Sequence, residues 1–222
     1  MKRSALILLQ LLIAPLFLAS AGPDKVPPPL RIGIAGGMGV SYVKATSLVD
    51  RVNGTGITLA RASDFVAGAE FFGALSYPVA ADWIVKVEYA YLIASYNIQT
   101  IFPGSEFSMG IHMPTVVAQY VLLDRGVYYV KAGLGLGYHI GSYTEKYGTV
   151  DATFTGSGPA AKIDFEANTA FGDSFYAYLG ADIRMDFIGT LTSDQPGNTG
   201  ASKPPDLNFL SLGAKLGFTF YL

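Results

Sequence analysis

A chain of 222 residues is long enough for one domain or at most two, and 50% hydrophobic against 14% charged residues excludes intrinsic disorder. The formal net charge of −2 supplies no basic stripe for nucleic acid, whose binding rests on many phosphate contacts. The absence of cysteine excludes disulfides, thiol nucleophiles, iron–sulfur clusters, cysteine zinc sites and a lipidated N-terminal cysteine, and the two histidines, His112 and His139, leave little for metal or triad chemistry.

In chain order, Lys2 and Arg3 lead into an apolar run from Ala5 to Leu18, broken only by Gln10 and Pro15, which ends at Ala19-Ser20-Ala21. A basic start, an apolar centre and a small-x-small site predict a secretory signal peptide over residues 1–21, cut before Gly22. The run is shorter than the roughly 20 residues a spanning helix needs. Residues 22–30, with Pro27-Pro28-Pro29, read as an extended periplasmic tether.

From residue 31 onward the hydrophobicity is distributed as alternation. Between Leu207 and Leu222, Leu210, Leu212, Ala214, Leu216, Phe218, Phe220 and Leu222 share one parity, while Ser211, Gly213, Lys215, Gly217, Thr219 and Tyr221 take the other. The same split runs from Phe175 to Ile188 and from Tyr128 to Gly141. The template also predicts strands near Arg31 to Val43, Phe65 to Tyr77, Trp83 to Ile98, Phe107 to Leu122 and Ala161 to Phe171, making eight in all. An even number suits an antiparallel meander that closes on itself.

The connections point the same way. Pro78-Val79-Ala80-Ala81-Asp82, the turn at Asp124-Arg125-Gly126 and Gly172-Asp173-Ser174 are short and made of turn-forming residues. Residues 44 to 64, 144 to 160 and 189 to 206 are rich in Gly, Thr, Ser, Asp, Asn and Pro and read as long loops, with a modest one at 99 to 106. Long and short connections thus alternate, which gathers the short ones and both termini at one rim.

Alternation alone also fits a soluble barrel with its apolar face inside, and side-chain volume decides between the two. An eight-stranded interior is only wide enough to be filled by side chains or one small ligand. The apolar parity carries Phe71, Trp83, Val87, Tyr89, Tyr91, Leu134, Leu136, Tyr138, Phe165, Phe187, Phe218 and Phe220, too bulky to turn inward. The opposite parity carries glycines such as Gly37, Gly133, Gly135 and Gly217, together with Glu70, Lys86, Glu88, Lys131, Lys162, Asp164, Glu166, Asp182, Arg184, Asp186 and Lys215. Those charges are predicted to line the lumen as a salt-bridged network, and the bulky parity to face lipid. Tyr77, Trp83, Tyr128, Phe171 and Phe175 flank the short turns, where an interfacial girdle belongs.

On this pattern the chain resembles the small outer-membrane β-barrel proteins of Gram-negative bacteria, the broad group of OmpA-, OmpX- and OmpW-like barrels. The most specific piece of the resemblance is Leu216-x-Phe218-x-Phe220-x-Leu222, which is similar to the C-terminal signal read by the barrel assembly machinery. That signal usually finishes on phenylalanine or tryptophan, where this chain has Leu222. Pro114 inside the fourth strand implies a bulge or an end-of-ladder position, and the facing of residues 112 to 120 is left open.

Some small outer-membrane barrels modify lipid A, and a deacylase of that kind uses a His-x-Ser pair with a carboxylate. His139 and Ser142 are three residues apart, which puts them on opposite faces of a strand. His112 has Ser108 and Thr115 near it in sequence, without the required spacing. Asp182-x-Arg184-x-Asp186 is the densest charge ladder, and structural pairing with Lys215, Asp164 and Glu166 is the expectation for it. Gly133-x-Gly135-x-Gly137 lacks the strand–turn–helix context of a nucleotide loop.

The sequence therefore predicts an all-β protein, an eight-stranded antiparallel up-and-down transmembrane β-barrel over residues 31–222, without a cofactor, metal or catalytic site. Its expected partners are outer-membrane lipid and, during biogenesis, the barrel assembly machinery. Its expected role is structural or surface-interactive, carried by extracellular loops over a largely plugged lumen. The alternative is a narrow conduit or cavity for a small hydrophobic molecule, and a lipid-A-modifying enzyme stands behind both.

Overall fold

The computed structural model describes residues 31–54, 56–61, 65–96, 100–148, 150–193 and 204–222. The predicted signal peptide and tether lie outside the described residues. Eight strands, β1 (Gly33–Lys44), β2 (Phe65–Ala80), β3 (Trp83–Tyr96), β4 (Glu106–Asp124), β5 (Tyr128–Tyr147), β6 (Val150–Ala170), β7 (Phe175–Thr190) and β8 (Asp206–Tyr221), pair antiparallel in chain order. β8 closes on β1, so the sheet has no edge along its girth.

The stagger of this ring can be followed residue by residue. Perpendicular pairing leads from Ile34 to Leu75, Val87, Val116, Leu136, Ala161, Met185 and Leu210, then returns to β1 at Lys44, ten positions beyond its start. A stagger of that size tilts the strands by roughly 35–45°. It also decides which side chains meet across the lumen.

Every bulky residue assigned outward does point outward, from Phe71 (49% exposed) and Trp83 (48%) to Leu136 (75%). Residues 112 to 120 are now assigned: His112, Pro114, Val116, Ala118 and Tyr120 face out, and Met113, Thr115, Val117 and Gln119 face in. No bulge forms at Pro114. The β4–β5 register is the same on either side of it, His112 with Ile140 and Thr115 with Gly137, and pairing lapses only at Met113 and Pro114. The irregularity of this pair lies lower, between Val121 and Leu123.

Two expected loops are corrected. Residues 144 to 160 are not a loop: β5 and β6 run on to Tyr147 and Val150 and meet in a tight hairpin, where Gly148 takes a left-handed φ of 56°. Within residues 44 to 64 lies a helix, α1 (Thr46–Gly54), which buries Leu48, Val49 and Val52 on one face and carries Arg51 in its last turn. As a result β4, β5 and β6 have 19, 20 and 21 residues while the other strands have 12 to 16, and the barrel has one high wall.

Polarity inverts along that wall. Below Ile140, β5 points Leu134, Leu136 and Tyr138 outward; above it, Ser142, Thr144 and Lys146 point outward and Tyr143 is fully buried. β6 follows, with Thr153, Thr155 and Ser157 outside and Phe154 inside. The protein therefore has two stacked sections. The lower is apolar outside and ionic inside, as hydrocarbon requires. The upper is polar outside and apolar inside, as water requires. Its core of Phe107, Met109, Ile111, Phe154, Leu191, Leu207 and Phe209 is roofed by Leu48, Val49 and Val52 of α1.

Candidate functional site

The lumen and its helical roof hold the groups capable of chemistry or recognition. At the end with the short turns Tyr129, Tyr176 and Tyr221 pack ring against ring, with centroids 5.0 to 5.9 Å apart. Tyr176 Oη donates to the carbonyl of Gly126 at 3.1 Å, which ties the cluster to the β4–β5 turn. All three rings alternate inward at strand ends that converge on this rim, so their bulk narrows it.

Above them all eleven charged residues assigned to the lumen are buried, none more than 3% exposed. Lys131 Nζ reaches Glu166 Oε1 at 2.8 Å and Tyr221 Oη at 3.0 Å. Lys86 on β3 spans the bore to Asp164 (2.6 Å) and Glu166 (3.1 Å) on β6. Lys162 bonds Glu88 (2.7 Å) and Asp164 (2.9 Å). Lys215 touches Glu88, Glu70 and Asp182 at 2.7, 2.9 and 3.1 Å. Gln119 donates to Asp164 and Glu166, and Asn168 to Glu166, which satisfies further acceptor sites on the carboxylates.

The ladder on β7 is paired, though not wholly with the expected partners. Asp182 meets Lys215 as anticipated. Arg184 instead crosses to Glu70 on β2, bonds Asp182 at 3.0 Å through Nε and Ser41 at 3.2 Å through Nη2. Asp164 and Glu166 are taken by lysines rather than by Arg184. Asp186 bonds His139 Nδ1.

That last contact belongs to a chain the sequence reading missed. Thr115 Oγ1 lies 3.1 Å from His139 Nε2, so a hydroxyl, an imidazole and a carboxylate are linked across β4, β5 and β7. Thr115 stood in the stretch whose facing was open, and no short motif joins three residues so far apart in sequence. The order is that of a nucleophile relay. All three groups are enclosed, at 4%, 0% and 1% exposure, a Cβ on neighbouring Gly137 would come 2.6 Å from His139 Nε2, and the chain ties three strands together. His139 and Ser142 are on opposite faces, and Ser142 Oγ donates to the carbonyl of Gly110. His112 stands outside the barrel beside Tyr89.

A charged pair latches the roof. Arg51 of α1 engages Glu145 of β5 through two contacts, Nε–Oε1 at 2.5 Å and Nη2–Oε2 at 3.1 Å, and its guanidinium lies 4.8 Å from the Phe154 ring centroid. Glu145 is fully buried, so the bond is shielded from solvent. Replacing Arg51 by glutamine should speed amide exchange across α1 by about 10- to 100-fold, the worth of a charged hydrogen bond of about 1.5–3 kcal/mol. Exchange within the lower, lipid-facing parts of β1 to β8 should stay unchanged. Equal protection of α1 in both proteins would show that the apolar face alone holds it.

No family model matches the sequence, and no curated protein matches it. Solved structures do resemble the fold. Neisserial surface protein A is 14% identical with a TM-score of 0.51, the match covering 86% of this chain and 97% of that one. Ail, the attachment invasion locus protein of Yersinia pestis in complex with the heparin analogue sucrose octasulfate, is 14% identical with a TM-score of 0.52, covering 86% and 98%. The outer membrane protein OprG from Pseudomonas aeruginosa is 15% identical with a TM-score of 0.51, covering 86% and 96%. At these identities the likeness is one of fold: the eight-stranded up-and-down barrel of small outer-membrane proteins.

Proposed function

We propose that this protein is an integral outer-membrane barrel with a plugged lumen and periplasmic termini, whose work is done at the extracellular end by the high wall and its helical roof. One observation carries this reading: the bore is occupied in succession by a tyrosine cluster, an ion-pair layer and an apolar core under α1. An open aqueous channel belongs to much wider barrels. Lipid is the partner of the exposed apolar belt. Leu216, Phe218, Phe220 and Leu222 project from β8 toward that lipid, 45% to 64% exposed, which suits recognition by the assembly machinery during insertion. Purified protein in planar bilayers should give no resolvable conductance steps at 1 M salt. Stable single-channel steps would defeat the plugged lumen.

A second reading is favoured by the apolar interior of the upper section: a small hydrophobic molecule enters there when α1 lifts. Uptake of an apolar dye that rises in the Arg51→Gln variant would support it, and equal uptake in both proteins would remove it.

A further inference from the structure

The lipid-facing wall is apolar up to a boundary, and one polar cluster sits on the boundary itself. His112 projects outward from β4, and Tyr89 Oη lies 2.6 Å from its Nδ1. The Tyr91 ring packs on the imidazole, with centroids 4.6 Å apart and planes inclined by 31°. Tyr91 can lie across β4 because the next outward position is Gly110, where a Cβ would stand 2.8 Å from Tyr91 Oη and 3.3 Å from Ser142 Oγ. On the neighbouring strands Tyr138 Oη reaches Ser157 Oγ at 3.0 Å. Below the cluster Val87, Val116 and Leu136 are 53% to 75% exposed, and above it Thr144 and Thr153 continue the outer surface as a pair of hydroxyls 3.3 Å apart.

Interfacial tyrosines alone are an ordinary aromatic belt. An imidazole fixed by one tyrosine and covered by another needs a further reason. In the tautomer in which the Tyr89 hydroxyl donates to Nδ1, the imidazole carries its proton on Nε2 and offers it as a donor. A donor held at the edge of hydrocarbon is costly unless an acceptor meets it. The acceptors at that depth are headgroup oxygens, and phosphate is the strongest of them.

We propose that this face of β3 to β6 seats one phosphate-bearing glycolipid of the outer leaflet. A phosphate oxygen accepts from His112 Nε2, with the Tyr91 hydroxyl beside it. The acyl chains lie along Val87, Val116 and Leu136, and the sugar hydroxyls meet Ser142, Ser157 and Thr144 on the high wall. A wall that rises seven residues past Ile140, roughly 16–19 Å for a tilted strand, stands at the height of a saccharide headgroup.

This inference rests on the outer-membrane reading, and its test separates the two. The mature chain, folded into phosphatidylcholine nanodiscs with added lipid A, is assayed for bound lipid A by native mass spectrometry. Insertion is read independently from the compact, heat-sensitive mobility of the unheated protein on gels. Wild-type protein should retain phosphorylated lipid A and release its dephosphorylated form, and millimolar inorganic phosphate should not displace the lipid. His112→Leu should lower retention about tenfold, and Tyr89→Phe, which keeps the ring and removes the orienting hydroxyl, about threefold. Equal retention in wild type and both variants, equal retention of dephosphorylated lipid A, or displacement by inorganic phosphate would overturn the glycolipid seat. Failure of the wild-type chain to insert would count against the membrane reading instead.

Discussion

Replacing Lys215 by methionine should destabilise the barrel by about 3–5 kcal/mol, the usual cost of stripping one partner from a buried ion pair. Lys215 Nζ bridges Glu88, Glu70 and Asp182, carboxylates from three different strands, at 2.7 to 3.1 Å. Glu70, Glu88, Asp164, Glu166, Asp182 and Asp186 already outnumber Lys86, Lys131, Lys162, Arg184 and Lys215, so the loss of one cation deepens an existing imbalance. Methionine fills nearly the same volume, which leaves charge as the changed quantity. Denaturant unfolding in detergent micelles, followed by the fluorescence of the single tryptophan, Trp83, measures the effect. Adding Glu88→Gln should recover part of the loss, because it removes one of the charges left without its cation. Lys146→Met is the control: its pair with Glu106 is 3.9 Å long and half exposed, and its loss should cost at most about 1 kcal/mol. A Lys215→Met penalty no larger than that control would mean that water or headgroups reach the lumen and screen it.

The second large effect is expected where the ring closes. Gly37 and Gly217 stand opposite each other on β1 and β8. A Cβ on Gly37 would lie 2.1 Å from the carbonyl oxygen of Leu216, and one on Gly217 would lie 2.3 Å from that of Gly36. These neighbours are backbone atoms in the hydrogen-bonded seam, so no side chain can rotate out of the way. Gly37→Val should cost on the order of 4 kcal/mol, above the roughly 1–3 kcal/mol usual for overpacking because the atoms it meets are backbone. The compact band of the unheated protein should largely disappear from gels. Gly36→Ala and Gly73→Ala are the matched controls, since their nearest contacts would be 3.5 and 4.0 Å. A folded Gly37→Val barrel with wild-type mobility would show that the seam can shift its register or spread.

The strand pattern was legible where one environment lay on each side of the sheet. β8 crosses a single boundary from Ser211 to its end, and its alternation reads cleanly over that whole stretch. The alternation of β5 reads only as far as Gly141 because its apolar parity changes there, from Leu136 and Tyr138 outside to Tyr143 inside. In sequence such a change resembles the start of a loop. It is the mark of a strand leaving hydrocarbon for water, where the same backbone exchanges the solvent on its outer face. α1 was hidden for a related reason: Leu48, Val49 and Val52 are apolar at helical spacing, but a nine-residue helix is too short to declare itself without the core it covers.

The sequence by itself determined the number of strands, the face that each strand but β4 turns to lipid within the membrane-facing section, and which charges point inward, because a two-residue period is a local property of the chain. The tertiary structure alone decided that Arg184 meets Glu70, that Lys86 meets Asp164, and that Thr115, His139 and Asp186 join. It also decided that α1 roofs a second, water-facing core. These partners lie on strands distant in sequence, and they come level only through the ten-residue stagger and the unequal strand lengths of the closed ring. Stagger is a property of the whole circuit, set by every pairing at once, and no single stretch of the chain contains it.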